Sequence, residues 1–187
     1  MRTVLLFTTL IAMGGCAYQI GTGNRSLPGG ARTLSIPVFK NSSMEPGAEV
    51  IFTEALRKEF ARSGVARLVS DEQSELRLLG RVRSIQFQPG AKKQAEDSGS
   101  LLPDGTVLAA EYRIVVEVEI EALRRVDGAK VWSGTFRGER TYVAPQVQGA
   151  GINTVNPLYN ISARRMNLET IANDLVVEAH SRITENF

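Results

Sequence analysis

The chain has 187 residues, 43% of them apolar and 22% charged, with a formal net charge of +2 at neutral pH. That balance suits one globular domain plus a leader, and it argues against a chain that holds nucleic acid through massed positive charge. No run of about 18 uninterrupted apolar residues occurs, so no membrane-spanning helix is expected.

Met1 to Gly15 reads as a targeting leader, with Arg2 before an apolar run from Val4 to Met13. Gly14-Gly15-Cys16 follows, small residues directly before a cysteine. This resembles a bacterial lipobox, apart from Met13, where leucine is usual. The resemblance implies that Cys16 takes a diacylglyceryl group, the leader is cut away, and the new amine is acylated. The alternative is an ordinary signal peptide with an incidental cysteine. Cys16 is the only cysteine, so no internal disulfide is available. Two or more acyl chains anchor stably where one is marginal. Ala17, not aspartate, follows the cysteine, which in the resemblance implies the periplasmic leaflet of the outer membrane. Residues 16–31 read as a lipidated tether with turns at Leu27-Pro28-Gly29-Gly30. Residues 32–187 read as a single domain.

The domain opens with a strand on which Leu34, Ile36 and Val38 share one face. Pro37 removes a ladder donor, so an edge position or the strand's exit is favoured. After Asn41-Ser42-Ser43, Pro46 suits a first helical turn. Ile51, Phe52, Ala55, Leu56 and Phe60 then recur at helical spacing, and Gly64 suits a left-handed end. Val65 to Val69 resumes strand character, which completes a βαβ unit.

Leu76, Leu78, Gly80 and Val82 share one face of a long strand, but Ile85 and Phe87 have the opposite parity. A bulge near Arg83-Ser84 is therefore expected. Residues 91–106 are polar and without period, and read as a loop. Tyr112, Ile114, Val116, Val118, Ile120 and Ala122 alternate with Glu111, Arg113, Val115, Glu117, Glu119 and Glu121 in the clearest strand of the chain. Val126-Asp127-Gly128-Ala129-Lys130 predicts a hairpin turn into a partner strand from Val131 to Tyr142. Residues 144–159 read as loop, and a last helix is expected from about Ile161 to Ile183. Trp132 is expected in the core near Val116, Val118, Phe52 and Leu175, while Gly134 and Gly138 leave room for close packing. The fold class is α+β: two helices on one face of a roughly four-stranded mixed sheet, in β-α-β-β-β-α order.

Several stretches together carry a family resemblance: Ile36-Pro37-Val38-Phe39-Lys40-Asn41, Glu45-Pro46-Gly47, Glu54-Ala55-Leu56 to Phe60, and Lys130-Val131-Trp132 after the Asp127-Gly128 turn. With the lipobox before them, they resemble the LPS-assembly lipoprotein family, LptE. The resemblance implies a non-enzymatic protein that partners the outer-membrane β-barrel LptD as plug and assembly factor. It also implies help in inserting lipopolysaccharide into the outer leaflet. A small lipid-anchored activator of a peptidoglycan synthase is the alternative.

The residue inventory offers little chemistry. His180 is the sole histidine and reads as a surface or stripe-edge residue; no metal site, cofactor site or nucleophile pair is expected from it. Arg77, Arg81, Arg83, Lys92 and Lys93 are candidate contacts for the phosphates of an anionic lipid. Cross-strand pairing of the arginines with Glu117, Glu119 and Glu121 is the competing role. Leu101 and Leu102, in an otherwise solvated loop, are candidate contacts for the barrel partner.

Overall fold

The computed structural model describes residues 25–90, 92–94, 107–109, 111–143, 146–149, 152–155 and 157–185; within 91–110 and 144–160 it describes backbone alone. Strand β1 is Thr33–Ser35, β2 is Lys40–Asn41, helix α1 is Ala48–Ser63 and β3 is Arg67–Leu68. The long strands β4 (Leu76–Pro89), β7 (Glu111–Arg124) and β8 (Lys130–Val143) follow, and α2 (Pro157–Thr184) closes the domain. Among the described residues these strands form one six-stranded mixed sheet in the order β3-β1-β4-β7-β8, with β2 also beside β4. The expected α+β class holds, with six strands in place of four.

Pro37 explains why the one strand expected at the start is two, β1 and β2. β1 lies between β3 and β4 and is parallel to both; β2 resumes the same flank of β4 at Arg81 and Val82. The stretch expected as one strand is thus interrupted where the proline supplies no N–H. The interruption turns Val38 outward, so it is 60% exposed instead of sharing the face of Leu34 and Ile36. It also carries Phe39 inward. The ring of Phe39 lies on Gly80, where an added Cβ would sit 2.2 Å from ring carbons. The Phe39 N–H donates to Thr53 Oγ1 at 2.9 Å, which fastens the loop to α1.

Asn41 completes the join. Its Nδ2 donates to the Glu45 carbonyl at 2.8 Å and to Glu49 Oε2 at 2.7 Å, and its Oδ1 accepts from the Ser43 N–H at 2.9 Å. Pro46 does not enter the first helical turn. It precedes Gly47, the N-cap, whose φ of 83° is a conformation that a residue with a Cβ seldom adopts. Gly64 ends α1 in the left-handed region at φ 65°, with its N–H donating to the Phe60 carbonyl.

A register shift between Val82 and Ser84 is the expected bulge. Its effect is to return Ile85 and Phe87 to the core face, opposite Val116 and Ile114. Both helices cover that face. Phe52, Leu56 and Phe60 of α1, and Leu168, Ile171, Leu175, Val176, Ala179 and Ile183 of α2, pack on Leu78, Val82, Val116, Val118, Ile120 and Phe136. Each such burial of a valine, leucine, isoleucine or phenylalanine contributes about 1.5–3 kcal/mol. The helices run parallel, since Glu45 ahead of α1 meets Arg164 near the start of α2, and Ser63 meets His180 near its end.

Three expectations are corrected. The stretch 91–106 contains β5 (Lys92–Gln94), which pairs antiparallel with β6 (Val107–Ala109). The stretch 144–159 contains β9 (Gln146–Gly149) and β10 (Ile152–Val155), also antiparallel, and α2 begins at Pro157 instead of Ile161. Trp132 is only partly buried. It lies opposite Ala122 and lines, with Leu27 and Ile183, a cavity of about 250 Å³, and it is Phe136 that sits opposite Val118.

Candidate functional site

The predicted basic residues divide. Arg77 pairs with Asp71 through two guanidinium contacts, and Ser35 Oγ donates to the same carboxylate at 2.9 Å. Arg83 stands at the bulge, 3.5 Å from Glu117 and 3.9 Å from Glu119. Arg81 is registered with Glu119 and makes no ion pair with a described residue. These arginines share the open sheet face with Glu117, Glu119 and Glu121, and Lys130 reaches Glu121 at 3.0 Å. The face is charge-compensated, and its exposed pairs contribute about 0.2–1 kcal/mol each. Lys92 and Lys93 lie on β5, with their side chains outside the described residues. Cys16, Leu101 and Leu102 lie outside them altogether.

His180 is the main surprise. It is 1% exposed, not a surface residue, and sits between the helices with its ring edge-on to Phe60 at 4.8 Å. Its Nε2 is 2.8 Å from Ser63 Oγ, and its Nδ1 is 4.0 Å from Glu59 Oε1. That is the order of a serine–histidine–carboxylate relay, but the imidazole is buried between the helices and the carboxylate stands beyond hydrogen-bond distance. Ser63 Oγ also donates to the Phe60 carbonyl at 3.1 Å, which ties the hydroxyl into the end of α1. Nδ1 is a buried atom without a hydrogen-bond partner. Ser63 also ends α1, where unpaired carbonyls would repel an oxyanion. The cluster is a helix clamp. Burial holds the His180 pKa below its ordinary 6.5. The Arg62 guanidinium, bonded to Glu59 at 2.6 and 3.0 Å, holds that carboxyl below its ordinary 4.5.

A groove of about 1010 Å³ runs along the two helices. Ile51, Ala55 and Leu168 line it with Val50 and Ile161, which are 54% and 62% exposed. Its charged lining is mostly closed into pairs: Glu45 with Arg164, Glu54 with Arg57, and Glu169 with Arg165. Lys58 also lines the groove and has no ion pair with a described residue. Sequence periodicity located Ile51 and Ala55. It gave no signal for the groove, which depends on the parallel pairing of the two helices. Arg164 also lies 3.5 Å over the ring of Phe87, beside the stacked Tyr112 and Tyr142. Burial raises the Tyr142 pKa above its ordinary 10.0. Among the described residues no cluster of His, Cys, Asp and Glu could hold a metal ion, and no helix is long and apolar enough to cross a membrane.

Two parallel helices over one face of a mixed sheet, the other face polar and the loops fastened by side-chain hydrogen bonds, define a small α+β domain of a recurrent kind. The same fold occurs in a protein from Xanthomonas campestris, at TM-score 0.50 and 14% identity over 84% of this chain and 86% of that one. It occurs also in a neuraminyllactose-binding hemagglutinin homolog from Helicobacter pylori, at TM-score 0.50 and 11% identity over 86% and 90%. The rare lipoprotein B from Shewanella oneidensis aligns at TM-score 0.43 and 16% identity over 81% and 90%. No curated protein matches the chain. The chain belongs to the LptE lipopolysaccharide-assembly family, whose model matches residues 31–183.

Proposed function

We propose that this protein is an outer-membrane lipoprotein, anchored through acylated Cys16 at the periplasmic face, that partners the LptD β-barrel as plug and assembly factor. In that role it helps to place lipopolysaccharide in the outer leaflet. The observation that carries the reading is the family match over 31–183, which takes in every described element from β1 to α2. The site geometry agrees with a non-enzymatic role: among the described residues, the constellation that resembles a catalytic relay is buried between the helices, with its carboxylate 4.0 Å from the imidazole and its serine at the negative end of a helix. The test is affinity capture of the tagged full-length chain from detergent-solubilised membranes. The expected co-purifying protein is a large β-barrel. Recovery of a peptidoglycan synthase in its place would overturn the reading.

A further inference from the structure

The groove along the helices is an apolar surface that no described element covers. Val50 and Ile161 are branched aliphatic residues more than half exposed, and they face a common concavity of about 1010 Å³. That volume lies at the upper end of the range for sites that enclose small ligands, and clustered exposed apolar residues mark binding surfaces. The charges around it supply the second half of the argument. Three of its carboxylates are closed on three of its guanidinium groups, so they offer nothing further to a partner. Lys58 is left over, exposed and unpaired by the described residues, beside an apolar floor that includes buried Leu168. A neutral apolar ligand would leave that ammonium without a counter-charge, and a basic amphipathic helix would meet it with repulsion.

We infer that the groove takes an acyl chain of an anionic lipid, with the chain along Val50, Ile51, Ala55 and Ile161 and the anionic group at Lys58. This rests on the lipopolysaccharide-handling role proposed above and locates the lipid on the helix layer, away from the arginines of the open sheet face, of which Arg77 and Arg83 are paired. The chain's apolar area is removed from water where the fold leaves a hollow, and the ammonium offers a mobile point charge to a phosphate or carboxylate.

The experiment uses the full-length protein with a photo-reactive benzoylphenylalanine at Val50 or Ile161 in the groove, or at Thr135 or Arg81 on the sheet face. Each is irradiated with purified lipopolysaccharide, and capture is compared with and without excess neutral alkyl maltoside. Lipid is expected at Val50 and Ile161 and little at Thr135 or Arg81. Val50→Asp should lower capture at Ile161 about tenfold, as expected for a charge placed against an apolar chain. Lys58→Glu should lower it several-fold, whereas neutral maltoside should compete equally well in both backgrounds. Val50 is exposed, so the substitution is compatible with folding; Ile161→Asp, read at Val50, is the second arm, and melting curves check both. Equal capture on the sheet face, an unchanged yield in both aspartate variants, or capture in cells of a protein or a second copy at Val50 would each overturn the groove assignment. If no lipid is captured but the barrel still co-purifies, the groove assignment fails alone. If neither occurs, the functional reading beneath it fails as well.

Discussion

Replacing Gly80 with alanine tests the packing that joins the first loop to the sheet. A Cβ at that position would lie 2.2 to 2.3 Å from Cε2, Cζ and Cε1 of Phe39. Such an approach cannot be accommodated without moving the ring. Phe39 is 3% exposed, and its backbone is held by the bond from its N–H to Thr53 Oγ1. The ring therefore cannot slide aside freely; it must leave the core or push the loop from α1. Overpacking of this kind costs about 1–3 kcal/mol, and complete loss of the phenylalanine contact would cost ~3–5 kcal/mol. We expect about 2 kcal/mol for Gly80→Ala, a fall in Tm of roughly 4–8 °C in a domain of this size. Phe39→Leu should remove part of the clash, so the double variant Phe39→Leu/Gly80→Ala should be more stable than the sum of the single changes by ~0.5–2 kcal/mol. Urea unfolding followed by fluorescence reads all four proteins. A Gly80→Ala protein within 1 °C of its parent, or strictly additive single changes, would refute the placement of Phe39 on Gly80.

The buried imidazole predicts acid sensitivity. The folded-state pKa of His180 is held below the 6.5 of the unfolded chain, so stability is full above about pH 6.5 and declines as pH falls toward the folded value. The depressed carboxyl of Glu59 adds a further loss below about pH 4.5. In His180→Gln the decline between pH 7 and 5 should flatten; an unchanged slope would contradict the buried neutral histidine. Trp132→Ala should cost about 1–3 kcal/mol, less than a fully buried aromatic, because the ring is only partly covered. Denaturant midpoints check this, and a loss above about 5 kcal/mol would place the ring deeper than found. Cys16→Ala should abolish palmitate labelling and release the protein from membrane fractions; retention of both would remove the anchor from the account.

The sequence made the periodic elements legible because burial in them is one-sided. The parity change from Val82 to Ile85 disclosed the bulge, and Asp127-Gly128 disclosed the hairpin turn. The apolar spacing of α1 and α2 disclosed their inward faces. What stayed hidden depends on contacts remote in sequence. Val38 keeps strand alternation, yet the missing N–H of Pro37 ends β1 first and leaves Val38 outward. His180 reads as a stripe-edge residue until α1 packs parallel to α2 and covers it with Phe60 and Ser63. Trp132 has the parity of a core residue, but it lies opposite Ala122 near the start of β8, where a cavity borders it. The groove joins residues more than a hundred positions apart, Val50 and Ile161, and neither neighbourhood signals it alone.

The central claim is that the protein serves the delivery of lipopolysaccharide to the cell surface. It is tested most directly by depleting the protein in cells of its own host and measuring newly made lipopolysaccharide on the surface by labelling of intact cells. The account predicts that surface labelling falls while total lipopolysaccharide is maintained, and that the full-length chain restores it. Unchanged surface labelling after complete depletion would contradict it.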